Sequence, residues 1–215
     1  MINNPEFYEE ENGQLNNLKF RDITIQDAAE FANLHIEGIN TGFISSLGID
    51  FVTALYEAIT QSEDSFGFVA RENNKILGFV VFTANLSKLY KSVILKKGYR
   101  FALLLAGKMF SLKRIKTMFE TLFYPRRVKK LDLPHAELLS IIVAEEARGK
   151  GLATELVKKG LEACRLRGIE KVKVLVGADN EPANKLYLHC GFELFGRVMN
   201  HGVLSNIYVR RTNLV

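Results

Sequence analysis

Apolar and polar residues follow two different spacings along the 215-residue chain. Short apolar runs bounded by polar or turn-forming residues predict β-strands, whereas apolar residues that recur every three or four positions predict helices. Strands are predicted in this way at 18–23, 66–71, 75–84, 136–143, 171–176, 192–199 and 206–211. Helices are predicted at 28–38, 50–60, 151–167 and 181–190, with a loop at 39–48.

The order of these elements predicts the fold class. The second and third strands are separated by the polar stretch ENNK and the last two by NHG, so both pairs are expected to be antiparallel hairpins. Helices separate most of the other strands, which predicts a mixed, mostly antiparallel sheet flanked by helices, an α/β fold of the α+β type. Residues 18–215 are long enough to bury one core and are predicted to form a single domain.

Two local signals mark the starts of helices. Thr24 and Asp27 have the spacing of a capping box ahead of the first helix. Pro182 stands in the first turn of the last predicted helix, where a missing backbone N–H costs nothing.

The connection between the third and fourth strands is long and basic. Residues 86–130 contain thirteen Lys or Arg and one acid, Glu120, a net charge of +12 in a chain whose net charge is +5. The insert 86–130 is expected to be helical, and apolar residues three or four positions apart predict an amphipathic helix over its part 101–123. Either its apolar stripe packs on the protein's own core and the lysines are solvated, or it forms a lid or dimer contact. In the second case an anionic substrate would be attracted by Arg126, Arg127, Lys129 and Lys130.

Composition predicts a cytoplasmic globular protein. With 47% hydrophobic and 25% charged residues the chain differs from disordered proteins. Cys164 and Cys190 lie among apolar residues in predicted helices, so we expect two buried thiols rather than a disulfide or a zinc site. Residues 1–17 are polar and acidic, which predicts a poorly ordered tail and not a secretory signal. No apolar run approaches the roughly 18 residues that a bilayer span needs.

A glycine-rich stretch, ARGKGLA at 147–153, follows the fourth strand and opens a helix, where unpaired N–H groups favour an anion. Three phosphate-binding patterns compete for it. A P-loop fails at Ala144 and Gly151, and a dinucleotide fingerprint fails at Thr154. The pattern R/Q-x-x-G-x-G/A is satisfied throughout 148–153. From this loop alone, a glycine-rich helix start without a ligand stays open.

A second motif, NEPANKLYLHCGF, occupies 180–192. At about 100° per residue, Asn180, Asn184 and Tyr187 share one polar stripe of a helix. The adjoining face is apolar and is expected to pack on the core; it contains Ala183, Leu186 and Cys190. An isolated tyrosine in this position would be interpreted as an amphipathic residue at the edge of the core.

Together the loop and this motif, which is similar to N-x-x-A-x-x-x-Y-x-x-x-G-F, resemble the GNAT superfamily of acetyl-CoA-dependent N-acetyltransferases. The resemblance follows the element order from 18 to 211 and is specific over 136–193. It implies that the loop wraps the pyrophosphate of coenzyme A and that the pantetheine arm pairs with the fourth strand, without a metal. The cofactor-binding residues so implied are Ile141, Ile142, Val143, Arg148, Gly149, Lys150, Gly151, Leu152, Ala153, Thr154, Asn180, Asn184 and Tyr187.

The resemblance also implies two catalytic residues. Tyr187 is expected near the thioester sulfur, where it would protonate the departing thiolate. Glu137 opens the fourth strand, where several members of the family keep a glutamate as general base. A lone acid at the end of a strand is usually solvated, and His135 and Ser140 are the alternatives for the base.

The expected activity is direct transfer of an acetyl group to a primary amine of a small acceptor. The basic insert suits an anionic acceptor such as a nucleotide-linked amino sugar, and the insert with NTGFISSLG is similar to acetyltransferases of bacterial surface-polysaccharide pathways. Alternatives are a non-catalytic acyl-CoA-binding or sensor domain, an acetyltransferase for protein or peptide amines, and a module that binds membranes through 86–130. No nucleic-acid motif accompanies the positive charge, and a monomer or homodimer is expected.

Overall fold

The computed structural model describes residues 18–39, 42–106, 132–200 and 203–213. The strands in these ranges are β1 (Lys19–Asp22), β2 (Ser65–Glu72), β3 (Lys75–Thr83), β4 (Ala136–Val143), β5 (Lys171–Gly177), β6 (Glu193–Asn200) and β7 (Val203–Arg211). The helices are α1 (Ala28–Gly38), α2 (Phe43–Ser46), α3 (Ile49–Thr60), α4 (Leu86–Ala106), α5 (Leu152–Leu166) and α6 (Glu181–His189). Short 3₁₀ turns precede α1 and follow β4.

The described strands form one seven-stranded sheet in the order β1-β2-β3-β4-β5-β7-β6. Every neighbouring pair is antiparallel except β4 and β5, which are parallel. Helices cover both faces of the sheet. This confirms the predicted mixed, mostly antiparallel sheet flanked by helices, and it makes the β4–β5 boundary the one place where the strand direction stops alternating.

The two faces of the sheet carry separate apolar cores. On one face, side chains of α5 and α6 pack against the strands, with Leu156, Val157 and Tyr187 among the buried residues. On the other face, α1, α3 and α4 pack against the strands, with Phe31 and Tyr56 among the buried residues.

Several local predictions are confirmed. The Thr24–Asp27 capping box is present, and Asp27 also pairs with Arg21 at 2.6 Å. Asn73 and Asn74 both have positive φ (46° and 67°), as a two-residue turn needs if it is to match the twist of the β2–β3 hairpin. Pro182 lies in the first turn of α6. Cys164 and Cys190 are buried free thiols.

Three elements differ from the prediction by more than one residue. The predicted loop 39–48 contains α2, a single turn too short to produce a detectable period. Strand β7 begins three residues earlier than predicted, at Val203. Helix α4 begins at Leu86, well before the predicted start at 101, because the Asn85 side chain accepts the Lys88 N–H (3.0 Å).

The structure describes only part of the basic insert. Of the helix predicted over 101–123, the part from 107 onward lies outside the described residues, as do Arg126, Arg127, Lys129, Lys130 and the tail 1–17. Part of the insert's positive charge contacts the fold directly: Lys97 and Arg100 of α4 both pair with Glu57 of α3. None of the described helices has the length and apolarity needed to cross a lipid bilayer.

The packing of α5 on the sheet depends on Gly160. A Cβ at this position would stand 2.0 Å from Cε2 of Phe82, which is fully buried in β3. We expect Gly160→Ala to lower the free energy of unfolding by about 1–3 kcal/mol, because the overpacked core outweighs the better helix propensity of alanine. Urea-induced unfolding measures the change.

Gly98 in α4 provides the matched control. Its Cβ would meet Ile94 at 3.8 Å, an ordinary contact, so Gly98→Ala should raise the free energy of unfolding by about 0.5–1 kcal/mol. Equal effects of the two substitutions would contradict the close approach of α5 to Phe82.

Candidate active site

A gap opens in the sheet where β4 and β5 diverge. The two strands pair over only three positions, from Ala136 opposite Val172 to Leu138 opposite Val174. Beyond these positions β4 continues along β3, and β5 continues along β7 as far as Gly177. The facing edges of β4 and β5 are therefore left without a strand partner in the described structure.

A β-bulge lies at the point of divergence. Val81 of β3 is opposite Ser140 and Phe82 is opposite Leu138, so Leu139 has no opposite residue. The extra residue changes which side chains share a face of the sheet. Leu138 and Ile141 pack with the core under α5 and α6, whereas Leu139 packs with the core on the other face.

Backbone groups of β4 point into the gap at alternate residues. The Ala144 N–H donates to Leu77 O (2.8 Å), which fixes the alternation along the β3–β4 ladder. Ile142 therefore faces β3, and the N–H and C=O groups of Ile141 and Val143 face the gap. Val143 O accepts a bond from Arg148 Nε (3.2 Å), so this arginine lies across the outer end of the gap.

The glycine loop follows directly. Gly149 and Gly151 have φ of 74° and 77°, a left-handed conformation that favours glycine. Gly151 is the N-cap of α5, and the Glu155 N–H to Gly151 O bond (3.1 Å) starts the helix. A Cβ at either glycine would meet no atom within 4 Å. The conformation and the open space fit a phosphate group held by N–H groups at the start of α5.

The other loop residues divide by exposure. Arg148 and Lys150 are exposed, Ala153 and Thr154 are half-buried, and Leu152 is buried and anchors α5 on the core. Leu152 could therefore contribute to anion binding only through its backbone. The Arg148 guanidinium and the Lys150 ammonium supply positive charge on the open side of the loop.

Helix α6 begins at Asn180, beside the end of β5. The Asn180 side chain is exposed, and its Oδ1 accepts the Ala183 N–H (3.2 Å) as an N-cap. Its Nδ2 has no partner among the described residues. Asn180 can thus cap α6 and still offer an amide N–H to a ligand.

Asn184 has a different environment from Asn180. Its Nδ2 donates to Gly177 O (2.9 Å) and Asn180 O (2.7 Å). Its Oδ1 accepts from Asn206 Nδ2 (2.7 Å) and Tyr208 OH (2.9 Å). These bonds join α6 to the end of β5 and to β7, so the whole amide is occupied by the protein.

Tyr187 faces the core under α5 and α6 and is 5% exposed. Its ring lies edge-on to Phe192, with centroids 5.7 Å apart. Within the described part of the chain, no group forms a hydrogen bond with its hydroxyl. Burial raises the pKa of Tyr187, with a smaller contribution from the Cys190 thiol, so the phenol stays protonated and can donate a proton.

Glu137 is buried and paired, not solvated. Its side chain is 11% exposed, and Oε2 lies 3.3 Å from Lys173 Nζ, an ion pair outside hydrogen-bond geometry. Lys173 also donates to Pro134 O. Burial raises the pKa of Glu137 above its usual range, and the Lys173 charge partly offsets the rise. Burial raises the pKa of Tyr90 of α4, and the Glu137 charge adds to the rise.

Three polar side chains on the opposite face from Tyr187 form a chain of hydrogen bonds. His35 Nδ1 lies 2.8 Å from Tyr56 OH, which lies 3.1 Å from Ser140 Oγ beside the bulge. From the sequence only Ser140 of these three was a candidate, because His35 and Tyr56 come from the distant helices α1 and α3. The available signal was a tyrosine on the apolar face of α3. His135, the other alternative base, is exposed.

No described group of three or more His, Cys, Asp or Glu residues could hold a metal ion. The features that meet at the gap are the unpaired backbone groups of β4, including those of Ile141 and Val143, and the glycine loop into which β4 leads. These are polar and anion-binding groups of the kind that a phosphate-bearing, extended ligand requires.

Solved structures share this architecture. An N-acetyltransferase from Staphylococcus aureus Mu50 is 19% identical with a TM-score of 0.61, covering 92% of this chain and 99% of its own. Arabidopsis thaliana NAA60 in complex with acetyl-CoA is 18% identical with a TM-score of 0.57, covering 92% of this chain and 99% of its own. At these identities the likeness concerns the fold.

Part of the chain is similar in sequence to an acetyltransferase, and most of it matches a family model. The mycothiol acetyltransferase of Corynebacterium aurimucosum is 40% identical over 58 residues, which are 27% of this chain and 19% of that protein. This chain therefore matches only about a fifth of that relative's length. The model of the acetyltransferase (GNAT) family matches residues 37–192, which include the gap, the loop and Tyr187. The chain belongs to the acetyltransferase (GNAT) family.

Proposed function

We propose that the protein transfers an acetyl group from acetyl-CoA directly to a primary amine of a small acceptor. The observation that carries the proposal is the continuity of β4 with the glycine loop: the gap beside Ile141 and Val143 leads to Arg148 and the start of α5. An extended arm that ends in a pyrophosphate fits this path, because one part needs strand-like hydrogen bonds and the other an anion site.

The residues that bind the coenzyme have distinct roles in this proposal. Backbone N–H groups of the loop and the first turn of α5 hold the pyrophosphate, from Gly149 to Thr154, with charge from Arg148 and Lys150. Ile141 and Val143 pair with the pantetheine arm, while Ile142 fixes β4 against β3. Asn180 contacts the coenzyme through its amide N–H. A direct contact by Asn184 would require it to give up a protein hydrogen bond, and its bonds support the placement of α6.

Acetyl-CoA supplies the activated acyl group, and the chain supplies polarisation and proton transfer. An N–H of β4 in the gap polarises the thioester carbonyl and stabilises the oxyanion that develops on it. Glu137 accepts the proton of the attacking amine, directly or through water, and Tyr187 donates a proton to the departing thiolate. Their placement on opposite faces of the sheet separates the group that accepts a proton from the group that donates one.

The acceptor in this proposal is a small amine, with an anionic amino sugar or nucleotide-linked amino sugar favoured over a neutral one. The basic insert supports this choice, because α4 covers the face of the sheet that carries Glu137. Three lysines of α4 are exposed, namely Lys88, Lys91 and Lys96. Two other cations of this helix, Lys97 and Arg100, pair with Glu57. Long-range attraction would raise the local concentration of an anionic substrate.

Coenzyme binding at the loop is tested by Gly151→Val. The valine side chain would occupy the open space next to Gly151 where the pyrophosphate is proposed to bind. The rise in melting temperature that acetyl-CoA gives the parent protein should therefore be lost. A ligand at about 100 times its Kd stabilises the native state by about 2.7 kcal/mol.

The matched control is Gly168→Val, since Gly168 also has positive φ (69°) and open space but follows α5 instead of preceding it. Both variants should melt below the parent protein, and only the first should fail to respond to acetyl-CoA. A full shift in Gly151→Val would refute the loop assignment.

Turnover separates an enzyme from a coenzyme-binding sensor. Free thiol should appear from acetyl-CoA when amino sugars, their phosphates and nucleotide-linked forms are added, and a sensor would release none. Peptide amines in the same panel test the protein-acetyltransferase alternative.

Tyr187→Phe tests the proton donor. This variant should bind acetyl-CoA like the parent protein but lower kcat by about 10²–10⁴-fold, because the hydroxyl acts late in the reaction. Equal kcat in Tyr187→Phe and the parent protein would remove Tyr187 from the mechanism.

The role of Glu137 predicts a pH dependence. A base must be ionised, so the rate falls as the pH falls through its pKa. Lys173→Met removes the positive charge that favours the carboxylate, so the pKa of Glu137 should rise further and the acidic limb of kcat/KM should move to higher pH.

Lys171→Met is the control, because Lys171 is an exposed lysine of the same strand and should leave the limb in place. Glu137→Gln should lower the rate and remove the part of the limb that moves in Lys173→Met. The acceptor amine titrates identically in every variant, so an unchanged profile in Lys173→Met would assign the base to another group.

A further inference from the structure

The hydrogen-bonded chain of His35, Tyr56 and Ser140 has no part in the mechanism so far. It joins α1, α3 and β4 and ends at Ser140, between the bulged Leu139 and the gap-facing backbone of Ile141. Tyr56 is 2% exposed, and its ring packs edge-on against Phe31 and Phe79, with centroids 5.7 and 5.4 Å away. A phenylalanine would make the same ring contacts, so packing alone does not explain the hydroxyl.

The chemistry of the three groups gives the chain a direction. Burial lowers the pKa of His35 to about 4, which keeps the ring neutral with one protonated nitrogen. In the tautomer protonated at Nε2, Nδ1 is the strongest neutral acceptor of the three groups and the phenol is the most acidic O–H, so Tyr56 donates to His35 Nδ1. Ser140 then donates to the Tyr56 oxygen, and the lone pairs of Ser140 Oγ remain as acceptors.

Ser140 is half-buried and, through its bond to Tyr56, lies on the face of the sheet covered by α1, α3 and α4. Because the bulge puts Leu139 and Ser140 on this face together, Ser140 Oγ stands beside the gap without entering it. An amine that attacks a carbonyl held at Ile141 must approach from a face of the sheet, and this is the face opposite Tyr187.

We propose that Ser140 Oγ accepts a hydrogen bond from the N–H of the acceptor amine, and that Tyr56 and His35 are positioning residues that hold Ser140 in that orientation. The inference rests on the proposed function and adds a binding contact for the nucleophile. A bond from this N–H to Ser140 directs the nitrogen lone pair away from the serine and toward the gap.

Two bisubstrate probes test the contact without knowledge of the acceptor. In the first, the sulfur of coenzyme A carries –CH2–CO–NH–CH3, so the amide nitrogen takes the place of the acceptor nitrogen. In the second, –CH2–CO–CH2–CH3 replaces the N–H by a methylene of similar size. The parent protein should bind the amide about two- to tenfold more tightly than the ketone, as expected for one neutral hydrogen bond. Calorimetry measures both dissociation constants.

The variants are judged by the ratio of the two constants, in which a general loss of stability cancels. Ser140→Ala should bring the ratio to about one. Tyr56→Phe should also reduce the ratio, and adding Tyr56→Phe to Ser140→Ala should not lower it further, because Tyr56 acts through Ser140. His35→Leu should also reduce it, whereas His35→Asn, which keeps an acceptor near the position of Nδ1, should retain it.

Three results decide against the contact. A preference for the amide that persists in Ser140→Ala overturns the inference, as does equal binding of the two probes by the parent protein. If neither probe binds, the proposed function fails as well and the inference fails with it. If the parent protein binds both probes equally well, this contact fails while coenzyme binding stands. If it binds neither probe, coenzyme binding fails too.

Discussion

The early end of pairing between β4 and β5 is the constraint on which the rest of the site depends. Three paired positions hold the strands together, and the bulge at Leu139 then turns β4 away. Backbone groups without partners are costly inside a protein. An extended ligand in the gap would supply hydrogen-bond partners for the backbone groups of Ile141 and Val143. The glycine loop at the end of the gap favours a ligand whose end is anionic.

The bulge also determines which chemistry belongs to which face. Tyr187 lies with α5 and α6, on the face that Leu138 and Ile141 share. Ser140 and the Tyr56 hydroxyl lie with α1 and α3 on the other face. In the proposed mechanism Glu137 takes up a proton on the face covered by α4 and Tyr187 releases one on the opposite face, so neither proton has to cross the sheet.

Much of this architecture could be predicted from the sequence because it is encoded locally. The β2–β3 hairpin, the Thr24–Asp27 capping box and the glycine loop each depend on residues within a few positions of one another. The single turn α2 and the early start of α4 depend on individual side-chain bonds, such as Asn85 to Lys88, that leave no periodic pattern. The ion pair of Glu137 with Lys173 and the bonds of Asn184 join distant positions, so no spacing indicates them. The chain from His35 to Ser140 was missed for the same reason.

The unpaired β4 edge has a consequence for aggregation. Exposed strand edges invite pairing with other molecules, and natural sheets protect their outer strands against it. Here the unpaired edge lies in the middle of the sheet, between β3 and β5, and helices cover both faces. A strand from another protein carries a side chain at every residue, whereas the pantetheine arm of the proposed coenzyme has long stretches of amide and methylene groups without one. The same enclosure that keeps foreign strands from this edge therefore also limits the shape of a ligand that can lie in the gap.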